Sequence, residues 1–354
     1  MLYSNGRLLP ANIDVDRGLV QGFAARPDLQ VELSAEFLDS PRFGGETHER
    51  AVVAYLREKY AAHPPEVILV GAWEALDFTL RNRERMFARV PVVHLAVSSE
   101  DLQSTAPLPP DVIGVPLRLD FLGTVEQALR WQPAARRLVV VTGSSTWDRE
   151  WEARLRAQAT RLEDRLSLEF LSGLATAELQ THLRALGGDS IVFTPGFFSD
   201  GDGRVFVPRE AARLIAAAAT APVYSLYATF IGTGIVGGRM ASYDAIGRVG
   251  AHATLELLSG AAPASLNLPE TMPMPLHIDW REARRRGIAA DAVPPDAIVK
   301  FREPSFWEAY RRWVLIAGAV MLLQAGLIAA LLVERRRRQR TAAALARTER
   351  HMSL

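Results

Sequence analysis

The sequence predicts an α/β fold of two lobes, each a parallel sheet flanked by helices, followed by one transmembrane helix. Three observations carry this. From residue 1 to about 235, short runs rich in Val, Ile and Leu alternate with helix-like segments, the signature of parallel sheets covered on both faces. The series breaks at the PLRLD string, 116–120, and starts again with Phe121, leaving two halves of similar size. Near the end, residues 313–333 carry no charge and no proline, and a helix of about 20 such residues crosses a hydrocarbon core of ~30 Å.

In chain order, residues 1–3 look like the tail of a first strand, and further strands are expected at 29–33, 67–70, 90–96, 112–115, 138–142, 166–171, 190–194 and 222–225. Between them, helices are expected at 14–25, 46–61, 73–86, 122–131, 148–162, 175–185 and 208–219, the last opening on Pro208, a first-turn residue. After Tyr243 the pattern changes to one long helix, 243–259, stopped by Gly260 and Pro263. The proline- and methionine-rich stretch 269–277 reads as an extended crossing back between lobes, Asp279 opens a short helix that ends at Gly287, and 292–300 leads out of the domain. Residues 301–305 start the helix that enters the membrane, with Pro304 near its first turn. The expected organisation is an extracytoplasmic domain at 1–303, with lobe 1 at about 1–118 plus 238–280 and lobe 2 at about 119–237. A lead-in and transmembrane helix follows at 304–333, then a basic helical linker at 334–354.

Orientation follows from charge. Arg311 and Arg312 precede the span, whereas Arg335, Arg336, Arg337, Arg338 and Arg340 follow it, and the richer side stays cytoplasmic. Trp307, Tyr310 and Trp313 crowd the front edge, where amphipathic rings settle at an interface. Residues 1–312 are therefore expected in the periplasm of a bacterial inner membrane, with 334–354 in the cytoplasm. The net charge is +1 and the inner tail is basic, so the outer region is close to neutral, which argues against nucleic acid as partner. The chain has no cysteine, and therefore neither a disulfide framework nor a thiolate metal site. Its first residues lack the basic and apolar regions of a signal peptide, so a late start is expected, with a signal or first membrane helix upstream. Residues 341–354 begin a helical pattern and stop, as a linker cut before a PAS or kinase module would.

Ligands of open α/β sheets sit beyond the carboxyl ends of the strands. The loops there combine hydroxyls, glycines and rings, a composition for holding a small organic molecule. On loop position and chemistry the candidate ligand contacts are Ser4, Asn5, Trp73, Ser98, Ser145, Trp147, Phe197, Tyr227 and Thr229. The GSST run at 143–146 could offer backbone N–H groups to an anion, or simply cap the next helix, and the cap is the better reading. No catalytic set stands out. The histidines are scattered, none near a nucleophile elbow, and His94 inside an apolar strand reads as a core residue. The DGDG string at 200–203 lacks the third acid and closing glutamate of a calcium loop and reads as a polar turn. The glycine-rich GTGIVGG string at 232–238 has no Rossmann acid after it and reads as close backbone approach or a hinge. No metal and no cofactor is expected.

The strings LYSNGRLLP at 2–10 and FTPGFF at 193–198, with the order of βα units, resemble the extracytoplasmic sensor region of bacterial membrane-bound sensor histidine kinases. That region is similar to the type I periplasmic-binding-protein-like domains of ABC-type substrate-binding proteins. The resemblance spans nearly the whole chain, to the VERRRR exit at 333–338. It implies a two-lobed domain that closes on a small ligand and passes the change through the membrane helix to a PAS or kinase module of a two-component system. The chain departs from the whole family pattern in carrying no kinase, no phosphoacceptor box and no ATP-binding glycine boxes, so the chain itself is not expected to be an enzyme. His351 has nothing around it that supports phosphorylation.

Three functions compete. A sensor would relay closure through the helix, with Ala325, Ala329, Gly326 and Ala330 as small pairs and Gln324 in mid-span suiting a homodimer face. The alternative is a membrane-anchored substrate-binding protein of an ABC-type transporter. Such proteins are tethered at the N-terminus, whereas this span is C-terminal, which favours the sensor. An outer-facing enzyme comes last, for want of a catalytic constellation.

Overall fold

The computed structural model describes residues 1–40, 43–303 and 306–352. Pro304, the side chains of Trp307, Arg337 and Arg340, and that of His351 lie outside the described residues. Two compact units divide the chain, Met1–Phe301 and Arg302–Leu354.

The first half of unit one runs β1 (Leu2–Tyr3), α1 (Pro10–Phe23), β2 (Glu36–Phe37), α2 (Glu46–Lys59), β3 (Ile68–Gly71), α3 (Trp73–Met86), β4 (Val92–Leu95), α4 (Ser99–Thr105) and β5 (Val112–Gly114). Its strands form one sheet in the order β2-β1-β3-β4-β5, all parallel. The expected strand at 29–33 is not formed. β1 offers only two register positions, and they go to Glu36 and Phe37, secured by Glu36 N–H on the Met1 carbonyl and Leu38 N–H on that of Tyr3.

The second half runs α5 (Phe121–Trp131), β6 (Arg137–Thr142), α6 (Thr146–Ala159), β7 (Ser167–Ser172), α7 (Thr176–Arg184), β8 (Ser190–Phe193), α8 (Pro208–Ala218), β9 (Val223–Tyr224), β10 (Gly237–Arg239), α9 (Tyr243–Leu258), β11 (Leu276–Asp279), α10 (Trp280–Arg285) and β12 (Ile298–Lys300). Its sheet has the order β12-β11-β10-β9-β8-β6-β7, with β10 and β11 antiparallel. Helix α9 packs on α1 and β4 of the first lobe. The strands on either side of it correct the lobe boundaries. β10, β11 and β12 all belong to the second sheet, so the chain returns to lobe 2 before Leu276, not near 280, and 298–300 is an edge strand of the domain.

Strand alternation divides the core. Leu138 and Val140 of β6 pack with Phe121, Val125 and Leu155 on one face, while Val139 and Val141 pack with Leu179, Leu183 and Ile215 on the other. Both faces are covered, which is why these strands are near-continuous Val, Ile and Leu. In the first lobe, Leu69 and Val93 meet Val15 and Leu19 of α1, and Ile68 and Val70 meet Leu56 and Leu76 of α2 and α3.

The lobes are joined by chain segments after β5, after β10 and before β11, which lie side by side. Met272 N–H donates to the Pro116 carbonyl at 2.9 Å, Met240 N–H donates to that of Pro275 at 3.0 Å, and Arg239 pairs with Asp120 at 3.4 Å. The glycines of β10 fit the expected close approach: a Cβ at Gly237 would lie 2.0 Å from the His277 carbonyl oxygen, and one at Gly238 2.0 Å from that of Ser225.

In unit two, helix α11 (Phe306–Met352) contains the stretch Tyr310–Arg336, long and apolar enough to cross a membrane.

Candidate functional site

In the first sheet, β1 is flanked by β2 and β3, and in the second, β6 is flanked by β7 and β8. Crossovers leave in opposite directions there, so the loops beyond the carboxyl ends part and open a crevice. The loops after β1, β3 and β4 and those after β6, β8 and β9 line one cavity of about 170 Å³ between the lobes. That is below the roughly 300–1,000 Å³ of drug-sized sites, so it suits a small molecule.

The first-lobe wall is fixed by short polar ties. Ser4 Oγ donates to the Gly71 carbonyl at 2.9 Å and accepts from Ala75 N–H at 2.9 Å, joining the exit of β1 to the first turn of α3. Asn12 of α1 donates to the carbonyls of Gly6, at 3.0 Å, and Asn5, at 3.4 Å, which sets the turn that carries Asn5. Ala72 and Ala96 both line the cavity with φ of +72° and +56°, left-handed values that cost a non-glycine residue free energy and that gather at functional sites. Ala72 turns the chain straight into Trp73 and Glu74. Ser98 caps α4, accepting from Asp101 N–H at 3.1 Å and donating to Asp101 Oδ2 at 2.6 Å.

The second-lobe wall is a continuous series of rings. Trp147 stands edge-on to Phe198 at 5.0 Å and 5.8 Å from Trp151. Trp151 stands edge-on to Tyr227 at 6.1 Å, and Tyr227 lies 5.4 Å from Phe230. The fully buried Asp148 fastens this wall. Its carboxylate accepts from Ser145 N–H at 2.9 Å, Phe198 N–H at 3.0 Å and Ser199 N–H at 3.2 Å, while Ser145 Oγ accepts from Asp148 N–H at 3.1 Å. The loop after β6 is thus a helix cap whose donors are already met by a carboxylate of the chain.

Of the nine candidate contacts, Asn5, Trp73, Ser98, Trp147, Tyr227 and Thr229 line the cavity. Ser4, Ser145 and Phe197 do not. Ser4 is buried beneath the floor as a tie, Ser145 is occupied by the cap, and Phe197 lies in the lobe core against Phe206 at 5.1 Å. The next residue, Phe198, reaches the cavity instead. Sequence reasoning missed the charged groups and Trp151. Spacing held the signal for Trp151, since it follows Trp147 by one helical turn and shares its face.

The charges facing the cavity are Glu74, Asp101, Glu150, Arg154 and Arg209. Arg154 of α6 pairs with Asp101 of α4 across the cleft. Burial raises the pKa of the Glu74 carboxyl, with Asp101 and Glu150 adding to the rise against hydrogen bonds from its own backbone and Ser4. Burial and the neighbouring Arg213 lower that of Arg209. Burial likewise raises the Tyr227 and Tyr243 hydroxyls, so both are neutral donors at any physiological pH. Among the described residues no group of three or more His, Cys, Asp or Glu could hold a metal ion.

No family model matches the sequence, and no curated protein does. Solved structures do match in fold. The ABC domain in complex with L-Trp from Streptococcus pneumonia superposes with a TM-score of 0.60 at 14% identity, covering 84% of this chain and 97% of that one. The fold is periplasmic-binding-protein-like. The ligand-free, open form of a substrate binding protein with adhesive properties from Clostridium difficile gives 0.60 at 13% identity, covering 85% and 98%. An ABC transporter solute binding protein from Bacillus halodurans with bound myo-inositol gives 0.53 at 12%, covering 81% and 96%. Two of these three are named as binding proteins. At such identities the likeness is one of fold.

Proposed function

We infer that the chain is the ligand-sensing and transmembrane signalling part of a bacterial sensor histidine kinase, binding a small molecule between its lobes and relaying closure through the membrane helix. The observation that carries this reading is a ring-lined cleft between two sheets, bridged by Asp101 and Arg154, in a chain that continues into one unburied apolar helix. Binding-protein-like neighbours hold L-Trp and myo-inositol, which supports a small-molecule ligand here. The tether also supports a sensor: the apolar stretch follows the domain and is followed in turn by basic helix. A ligand drives closure only as far as it binds the closed form better than the open one, and residues of both lobes around one cavity supply that difference. On this reading the domain is periplasmic, the helix spans the inner membrane and pairs with that of a second copy, and a PAS or kinase module lies beyond.

The test joins the chain to a cytoplasmic histidine-kinase module in membranes and screens small molecules for a change in autophosphorylation. A response that Trp147→Ala abolishes supports the reading. A molecule that binds the cleft by calorimetry yet leaves autophosphorylation unchanged overturns the sensor role in favour of solute delivery.

A further inference from the structure

Granted that the cleft takes a small molecule, its charges narrow the class. Five ionisable acids and bases face it, and they are unequally satisfied. Asp101 and Arg154 neutralise each other across the cleft. Glu150 is solvent-exposed and needs no partner. Glu74 and Arg209 remain. Each is only partly exposed, and neither has an ion pair among the described residues, Glu210 and Asp14 acting on Arg209 without a salt bridge to it.

The two sit in complementary settings. Glu74 lies in the first turn of α3, in the first lobe, where the helix favours the carboxylate form while burial opposes it. A cation arriving in the cleft would offset that penalty. Arg209 lies in the first turn of α8, in the second lobe, at a helix end that already carries partial positive charge and one turn from Arg213. An anion placed there is met by both the guanidinium and the helix. The same cavity carries the ring series that includes Trp147, Phe198 and Tyr227.

We propose that the cleft is built for a zwitterionic amino acid with an apolar or aromatic side chain, its ammonium held by Glu74 of the first lobe and its carboxylate by Arg209 of the second. One ligand then carries both countercharges, and each is anchored on a different lobe. A molecule with a single charge leaves the other group desolvated and unpaired, so it binds weakly and does little to hold the lobes together.

Calorimetric titration of the full chain in detergent micelles tests this with L-phenylalanine, L-tryptophan, phenethylamine and 3-phenylpropionate, alongside neutral sugars. The expected result is binding of one or both amino acids at least tenfold tighter than of the amine or the acid alone. Glu74→Gln and Arg209→Gln should each weaken the amino acid at least tenfold. Equal affinity for a singly charged analogue overturns the proposal, and so does amino-acid binding unchanged in both variants; the analogue series needs only the wild-type chain, should a variant fail to fold. A neutral sugar that binds, with Trp147→Ala abolishing it, while no amino acid does, overturns the zwitterion and leaves the small-molecule receptor standing. If nothing binds, both fall.

Discussion

Trp147 and Tyr227 are the residues on which binding is expected to turn. Each puts a ring in the cavity and is braced by others, Trp147 by Phe198 and Trp151, Tyr227 by Trp151 and Phe230. Each ring also rests against the core of the second lobe, but its cavity face supplies stacking surface, and replacing either by alanine should cost about 2 kcal/mol of binding, roughly thirtyfold. Calorimetry reads that loss, and an unchanged melting temperature separates it from unfolding. His94 governs a different property. It is buried in β4 with Nδ1 unpartnered, and burial pushes its pKa down from 6.5 to about 4. The unfolded chain therefore binds the proton first, and stability falls as pH drops from about 6.5 towards 4. At about 1.4 kcal/mol per pH unit the loss is roughly 3 kcal/mol. His277, lowered to about 4 by burial and by Lys300, adds in the same direction. Urea unfolding across that range should show the decline, with a shallower slope in His94→Leu. The same residues mark what was legible: ring and hydroxyl positions on loops could be picked from the sequence. Which of two adjacent phenylalanines faces the cavity could not, because Phe198 is placed by Asp148, a side chain fifty positions away.

Two elements carry sharp structural demands. Helices α1 and α9 touch backbone to backbone, so that a Cβ at Gly18 would lie 2.0 Å from the Asp244 carbonyl oxygen and one at Gly247 2.2 Å from that of Val15. Gly18→Ala or Gly247→Ala should lower stability by about 2 kcal/mol or more through overpacking, whereas Gly188→Ala, with nothing within 4 Å, should be nearly neutral. Chemical denaturation compares the three directly. At the start of α6, Asp148→Ala would leave the N–H groups of Ser145, Phe198 and Ser199 without their acceptor, at a cost of about 3 kcal/mol, seen as an earlier urea midpoint. Element by element, the long buried strands and amphipathic helices were legible because periodicity reports burial. Four strands escaped, β2, β10, β11 and β12, and three of them carry no such signal in their side chains. β10 is Gly-Gly-Arg and is held by close backbone approach, β12 is a half-exposed edge, and β2 owes its place to the register of β1. The lobe boundary near 280 was misplaced because β11, buried along its length, is only four residues that follow directly on a proline-rich extended stretch and read as part of that crossing.

For the whole molecule, the fold class followed from the alternation of strand and helix, and the two switch points then located the cleft. The pairing of charges across it stayed hidden, since Asp101 and Arg154 are on different lobes and meet only in the folded chain. If the span pairs with a second copy, single cysteines introduced along 320–333 should cross-link with helical periodicity, strongest on the face of Ala325, Ala329, Gly326 and Ala330; uniform cross-linking would remove the dimer. Binding, closure and signalling all turn on the cleft between the lobes being a small-molecule site. The most direct measurement is thermal unfolding of the full chain in detergent against amino acids, small carboxylates, aromatic amines and sugars, run in parallel on Trp147→Ala. A ligand bound by the folded state alone raises the melting temperature by mass action. The melting temperature of the wild type should rise with ligand concentration, and the rise should vanish in Trp147→Ala. A well-folded chain that responds to none of these compounds, or a rise that survives Trp147→Ala undiminished, would contradict a small-molecule site in the cleft.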